Sequence, residues 1–188
     1  ADVLLAMGEP QGAADILREL ASLPDAPREI TRRWLSAEQA GGNLDEAAKA
    51  AEALLARHPD DAVAHFEAAR YFAFRTQYAR AEEAARQALK LKKDDPEILY
   101  LLAAIEARSG KPKAAVATAR QLVKLAPDNP ANRFLLASLL QDNGEAKPAE
   151  SEYRALLAGS PDHALALNNL ANLLAHAAGL LAVTVMGM

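Results

Sequence analysis

The sequence predicts an all-α solenoid built from a helix–turn–helix unit of 34 residues. Three observations carry that prediction. Ala13, Ala47, Ala81, Ala115 and Ala149 stand 34 residues apart without a slip. Gly8, Gly42, Gly110 and Gly144 keep a second column at the same period, with Thr76 in the missing place. Larger apolar residues keep two more columns: Trp34, Ala68, Leu102, Leu136 and Leu170, then Leu20, Leu54, Ala88, Leu122 and Leu156. A fixed period with no insertion means one supersecondary unit copied in tandem, each copy burying its apolar face against the next.

The elements follow in order. Residues 1–27 read as the later part of one repeat, since the sequence to Leu5 fills only the end of a first helix before Gly8. Full repeats are expected at 28–61, 62–95, 96–129 and 130–163, and a further first helix at 164–178. In the third full repeat, Leu99, Leu102, Ala103 and Ile105 form a helical stripe rather than a strand alternation. Gly110 ends that helix in the left-handed conformation a C-terminus often needs, and a second amphipathic run covers Pro112 to Leu125. Asp61, Asp95 and Asn129 share an N-cap column, and Pro96 and Pro130 follow at a first position that needs no N–H donor. Pro59, Pro127 and Pro161 mark the turns between copies, with Lys93 in the remaining copy. The alanine ladder marks where helices cross closely, so a bulky side chain there would overpack the junction.

This pattern resembles the tetratricopeptide repeat, with small residues or glycine at the turn, the ladder alanine and the closing proline. The resemblance covers nearly the whole chain and implies a right-handed superhelix whose first helices line a concave, peptide-binding groove. Departures are local: Thr76 stands for the turn glycine, and Glu38 and Glu106 stand for the usual aromatic of the first helix.

Composition agrees with a helical, soluble chain: 51% hydrophobic and 24% charged. A net charge of −4 leaves no electrostatic footprint for nucleic acid. The absence of cysteine excludes disulfides and thiolate metal sites. Both ends look cut, and neither shows the polar cap a solenoid needs. Residues 179–188 read as a hydrophobic tail of unclear origin: a cap, a scar or a poorly assigned segment. A membrane span over 165–188 fits by length but would bury Asn168, Asn169, Asn172 and His176. Membrane association is therefore expected only through a larger complex.

No catalytic chemistry is expected. The four histidines, His58, His65, His163 and His176, lack metal-binding spacing, and those in the turns read as solvated or capping residues. There is no phosphate loop or nucleophile elbow, so no enzyme activity and no cofactor are assigned.

One column rises above architecture. Phe66, Tyr100 and Phe134 stand 34 apart, preceded in register by Arg32 and followed by Asn168. One turn further, on the same face, come Ser36, Arg70, Ala104, Ser138 and Asn172, then Phe74, Arg108 and Asp142. The resemblance places this face toward the groove. The candidate partner-binding residues are accordingly Phe66, Tyr100, Phe134, Arg32, Arg70, Arg108, Asn168 and Asn172. Exposed aromatics and arginines are the usual anchors of binding energy. The competing reading is that the rings only fill space between neighbouring first helices.

The expected function is a non-catalytic scaffold for a protein or peptide partner. Two alternatives stay open. The run from Ser160 to Ala171 is similar to late repeats of bacterial polysaccharide-secretion or PEP-CTERM sorting proteins. High alanine and arginine usage points to a bacterial source, and the bacterial periplasm is favoured over the cytoplasm. A substrate-binding region of a larger enzyme, resembling O-GlcNAc transferase, is the other. The carboxylate clamp of chaperone-tail binders is not matched, because Glu67 and Leu101 fall where cations and asparagines are required.

Overall fold

Three of the first helices begin on Asp or Asn caps supplied by the sequence. Asp61 Oδ1 accepts the Val63 and Ala64 N–H groups at 2.8 and 3.4 Å. Asp95 Oδ1 accepts those of Glu97 and Ile98 at 2.9 and 3.1 Å. Asn129 Oδ1 accepts those of Ala131 and Asn132 at 3.0 and 3.4 Å. Each cap satisfies donors that the helix itself cannot.

The computed structural model describes residues 1–186, and side chains through residue 175. Among the described residues there are eleven α-helices and no strand, in two units. The first unit, Ala1–Lys93, holds α1 (Asp2–Ala6), α2 (Pro10–Ala21), α3 (Arg28–Ala40), α4 (Leu44–Arg57), α5 (Ala62–Phe74) and α6 (Tyr78–Leu91). The second, Asp94–Met188, holds α7 (Pro96–Arg108), α8 (Pro112–Leu125), α9 (Pro130–Asp142), α10 (Ala146–Gly159) and α11 (Ala164–Met186). This is an all-α helical repeat, as the period predicts.

The turns inside the repeats explain the glycine column. After α7, the Lys111 N–H bonds the Glu106 carbonyl at 2.9 Å and the Gly110 N–H bonds Ala107 at 3.2 Å. That double closure requires a left-handed residue, and Gly110 takes φ +77°. Thr76 closes α5 with the same bonds, from Gln77 to Phe72 and from Thr76 to Ala73, at φ +56°. A side chain with a branched Cβ is strained there. Thr76→Gly is therefore expected to stabilise the protein by about 1 kcal/mol, a relief partly offset by glycine's unfolded-state entropy. Urea unfolding of the variant checks this; an unchanged or lowered midpoint would contradict it.

In the first unit α3 packs between α2 and α4, α4 against α5, and α5 against α6. The ladder residues Ala13, Ala47 and Ala81 are fully buried. Tyr71 is buried too, with its hydroxyl donating to the Leu44 carbonyl at 2.7 Å. Arg57 closes the C-terminus of α2, donating to the carbonyls of Ala21, Ser22 and Leu23. Leu20 departs from its column and is 42% exposed, whereas Leu54 is fully buried.

Glu38 stays buried in the aromatic column because the Trp34 indole N–H donates to its Oε1 at 2.8 Å. A second-unit counterpart, Glu106, accepts the Thr118 hydroxyl at 2.7 Å. One hydrogen bond to each carboxylate offsets part of the cost of placing it where the family resemblance expects a ring, and Glu38 Oε2 stays buried without a partner.

Asp61 links two helix starts, since Arg28 at the head of α3 donates to the carboxylate that caps α5. Burial pushes the Asp61 carboxyl up, but the Arg28 guanidinium and the Val63 and Ala64 N–H groups outweigh it and hold its pKa below the ordinary value. A depressed folded pKa gives stability that is full above the unfolded carboxylate range and lost as pH falls through the folded value. Stability should thus decline below about pH 4. In Asp61→Asn that acid-side decline should be shallower in urea titrations at pH 5 and pH 3; parallel curves would contradict the linkage.

In the second unit α8 packs against α7 and α9, and α10 against α9 and α11. Ala115 and Ala149 complete the buried ladder, and Leu122, Leu136, Leu140 and Tyr153 fill the space around it. The register places a turn near residue 178, yet α11 runs on to Met186. Alanine rather than glycine occupies position 178. The side chains of the expected hydrophobic tail at 179–188, and that of His176, lie outside the described residues. Among the described residues no helix is long and apolar enough to cross a membrane.

Candidate first-helix binding faces

In the first unit the candidate residues sit on α3 and α5. Arg32 is half-buried and paired with Glu29 one turn earlier at 2.8 Å. Ser36, one turn on, returns its hydroxyl to the Arg32 carbonyl at 3.1 Å. On α5, Phe66 is half-buried, and the Arg70 guanidinium lies 5.9 Å from its ring centre. Arg70 is also paired with Glu67 at 3.1 Å and remains exposed. Such a cation over a ring is worth about 0.5–1 kcal/mol at an exposed site. Phe74, two turns beyond Phe66, is 64% exposed.

The second unit carries Tyr100 and Arg108 on α7, Phe134 on α9, and Asn168 and Asn172 on α11. Tyr100 is 43% exposed, and Arg108, Asn168 and Asn172 are exposed as well. Phe134 is different. Its ring stacks on His163 at 5.2 Å between centres and lies tilted against Tyr153 at 6.2 Å. His163 in turn caps α11, its Nδ1 accepting the Ala166 N–H at 3.2 Å. The capping role expected for a turn histidine is present, and it also fixes the imidazole against Phe134.

Beneath Phe134 lies a polar cluster with no counterpart in the sequence reading. The buried Tyr153 hydroxyl donates to Gln141 Oε1 at 3.0 Å, accepts the Asn169 amide at 3.1 Å, and meets the Ser138 hydroxyl at 3.3 Å. One hydroxyl thereby ties α9, α10 and α11 together with its donor and both acceptor sites used. The sequence places Phe74 on the candidate face without naming it as an anchor, and it gives no sign of the Tyr153 cluster. A ring at the end of α5 was visible, but its exposure depends on neighbours that repeat arithmetic does not give.

The three aromatic positions therefore have distinct surroundings: Phe66 under a guanidinium, Tyr100 open to solvent, Phe134 wedged on the second unit's core. Among the described residues no group of three His, Asp or Glu side chains is placed to hold a metal ion.

Comparison with known proteins places the fold. The tetratricopeptide repeat family model matches residues 33–75 and 66–130, together more than half of the chain. No curated protein sequence matches. Among solved structures, MamA from Desulfovibrio magneticus RS-1 aligns with a TM-score of 0.74 at 17% identity, covering 86% of this chain and 92% of that one. YrrB, described as a TPR protein with an unusual peptide-binding site, aligns with a TM-score of 0.65 at 20% identity, covering 78% and 76%. The first TPR of Spaghetti (RPAP3), solved with the HSP90 peptide SRMEEVD, aligns with a TM-score of 0.59 at 16% identity, covering 63% and 94%. With the ladder, the turns and the family match in agreement, the chain belongs to the tetratricopeptide repeat family.

Proposed function

We propose that the chain is a non-catalytic interaction scaffold that holds a protein or peptide segment on the faces of its first helices. One observation carries the reading. The five ladder alanines are fully buried, while Tyr100 and Phe74 leave 43% and 64% of their surface in water on the first-helix faces. Packing that is already complete at the ladder does not call for those rings. Each ring offers a large apolar area at the cost of few rotatable bonds, which suits an anchor. Arg32, Arg70 and Arg108 supply charge beside them, and Asn168 and Asn172 offer amides to a backbone. The peptide-binding descriptions of YrrB and of the Spaghetti domain support the same use of this fold.

Selection of a random peptide library on the full chain, repeated on a Phe66/Tyr100/Phe134 triple alanine variant that remains helical, tests the proposal. Peptides retained by the native chain and lost by the variant support it. Selection of the same peptides by both places the surface elsewhere.

A further inference from the structure

We infer that the α5 face is built for an extended segment of sequence apolar–x–acidic–x–apolar, an inference that rests on the scaffold reading above. Phe66, Arg70 and Phe74 follow one another at steps of four residues. A helix rises 1.5 Å per residue, so ring, guanidinium and ring lie about 6 Å apart along the axis. In an extended peptide, alternate residues share a face and stand about 6.6 Å apart. Three alternate side chains of such a segment therefore match the three side chains of α5 in both order and spacing. The outer two meet rings, and the middle one meets a cation.

Charge decides the middle residue. Arg70 is held by Glu67 on its own helix at 3.1 Å and stays exposed. Glu67 itself is mostly buried, so the Arg70 guanidinium is the solvent-facing end of the pair, and an incoming carboxylate can share it with Glu67. Arg32 on the neighbouring α3 is held in the same way by Glu29. At the Phe74 end, Arg75 has a buried Nη1 that bonds no acceptor. Glu67 is the opposing charge on this face, and it gives the inference its sharpest consequence: removing it should strengthen binding.

The probe is a fluorescein-labelled nonapeptide of glycine and serine with leucine at its third and seventh places and aspartate at its fifth. The control carries lysine at the fifth place. Anisotropy titrations of the full chain are expected to show the aspartate peptide binding several-fold tighter than the lysine peptide. Phe74→Ala and Phe66→Ala should each weaken it at least tenfold, and Arg70→Glu should invert the preference. Glu67→Gln should tighten it several-fold, an outcome that misfolding does not produce. Equal binding of the two peptides, no binding of either, or affinity unmoved in Glu67→Gln and Phe74→Ala would overturn the inference. The scaffold proposal is judged separately, by whether library-selected peptides are lost from the triple aromatic variant.

Discussion

Replacing Tyr153 by alanine is expected to cost about 3–5 kcal/mol of stability, the range for deleting a buried ring. The ring is fully buried among α9, α10 and α11 and lies against Phe134. Its loss would leave a cavity where three helices meet. It would also strip partners from Gln141, Ser138 and Asn169, which the hydroxyl now joins. Tyr153→Phe separates the two contributions. The ring remains, and the expected cost falls to about 1–3 kcal/mol for polar groups left unpaired. Denaturant unfolding of both variants checks the order. A Phe variant as damaged as the Ala variant would show that the hydrogen bonds, not the packing, hold this junction.

The second large effect separates affinity from stability within a single column. Tyr100→Ala is expected to weaken partner binding by about 1–2 kcal/mol or more while leaving unfolding little changed, because the ring is open to solvent. Phe134→Ala should lower stability by up to about 3 kcal/mol, since that ring stacks on His163 and Tyr153. Loss of the His163 contact should also loosen the start of α11, which His163 caps. Calorimetry with a selected peptide, paired with thermal unfolding, resolves the two. If Tyr100→Ala lowered stability and left affinity intact, the open ring would be a packing residue after all.

Sequence alone was sufficient for the repeat, and the reasons are local. Asp61, Asp95 and Asn129 cap helices because their short side chains hold an oxygen within reach of the free N–H groups two and three residues on. The run expected from Pro112 to Leu125 is α8 with those ends. Thr76 could be placed in the turn column, and the turn geometry is indeed kept without glycine, at the expense of a strained threonine.

What occupies a face was not readable. Phe66, Tyr100 and Phe134 share one column yet meet a guanidinium, water and an imidazole, because those neighbours come from other helices and turns. The Tyr153 junction joins residues of three helices with no repeated spacing. Leu20 shares a column with buried leucines but stands exposed, since burial depends on what packs outside the residue's own helix. Glu38 and Glu106 looked like departures from the pattern, and only the Trp34 and Thr118 hydrogen bonds show how they are accommodated.

The most direct test of the scaffold account is calorimetric titration of library-selected peptides into the native chain and into the helical Phe66/Tyr100/Phe134 triple alanine variant. The SRMEEVD peptide serves as control, because Glu67 and Leu101 stand where the clamp of chaperone-tail binders is expected to carry cations and asparagines. The account predicts a saturable isotherm for selected peptides on the native chain, its loss in the variant, and none for the control. Equal affinity of the two proteins for the selected peptides would contradict the account and move the binding surface off the first helices.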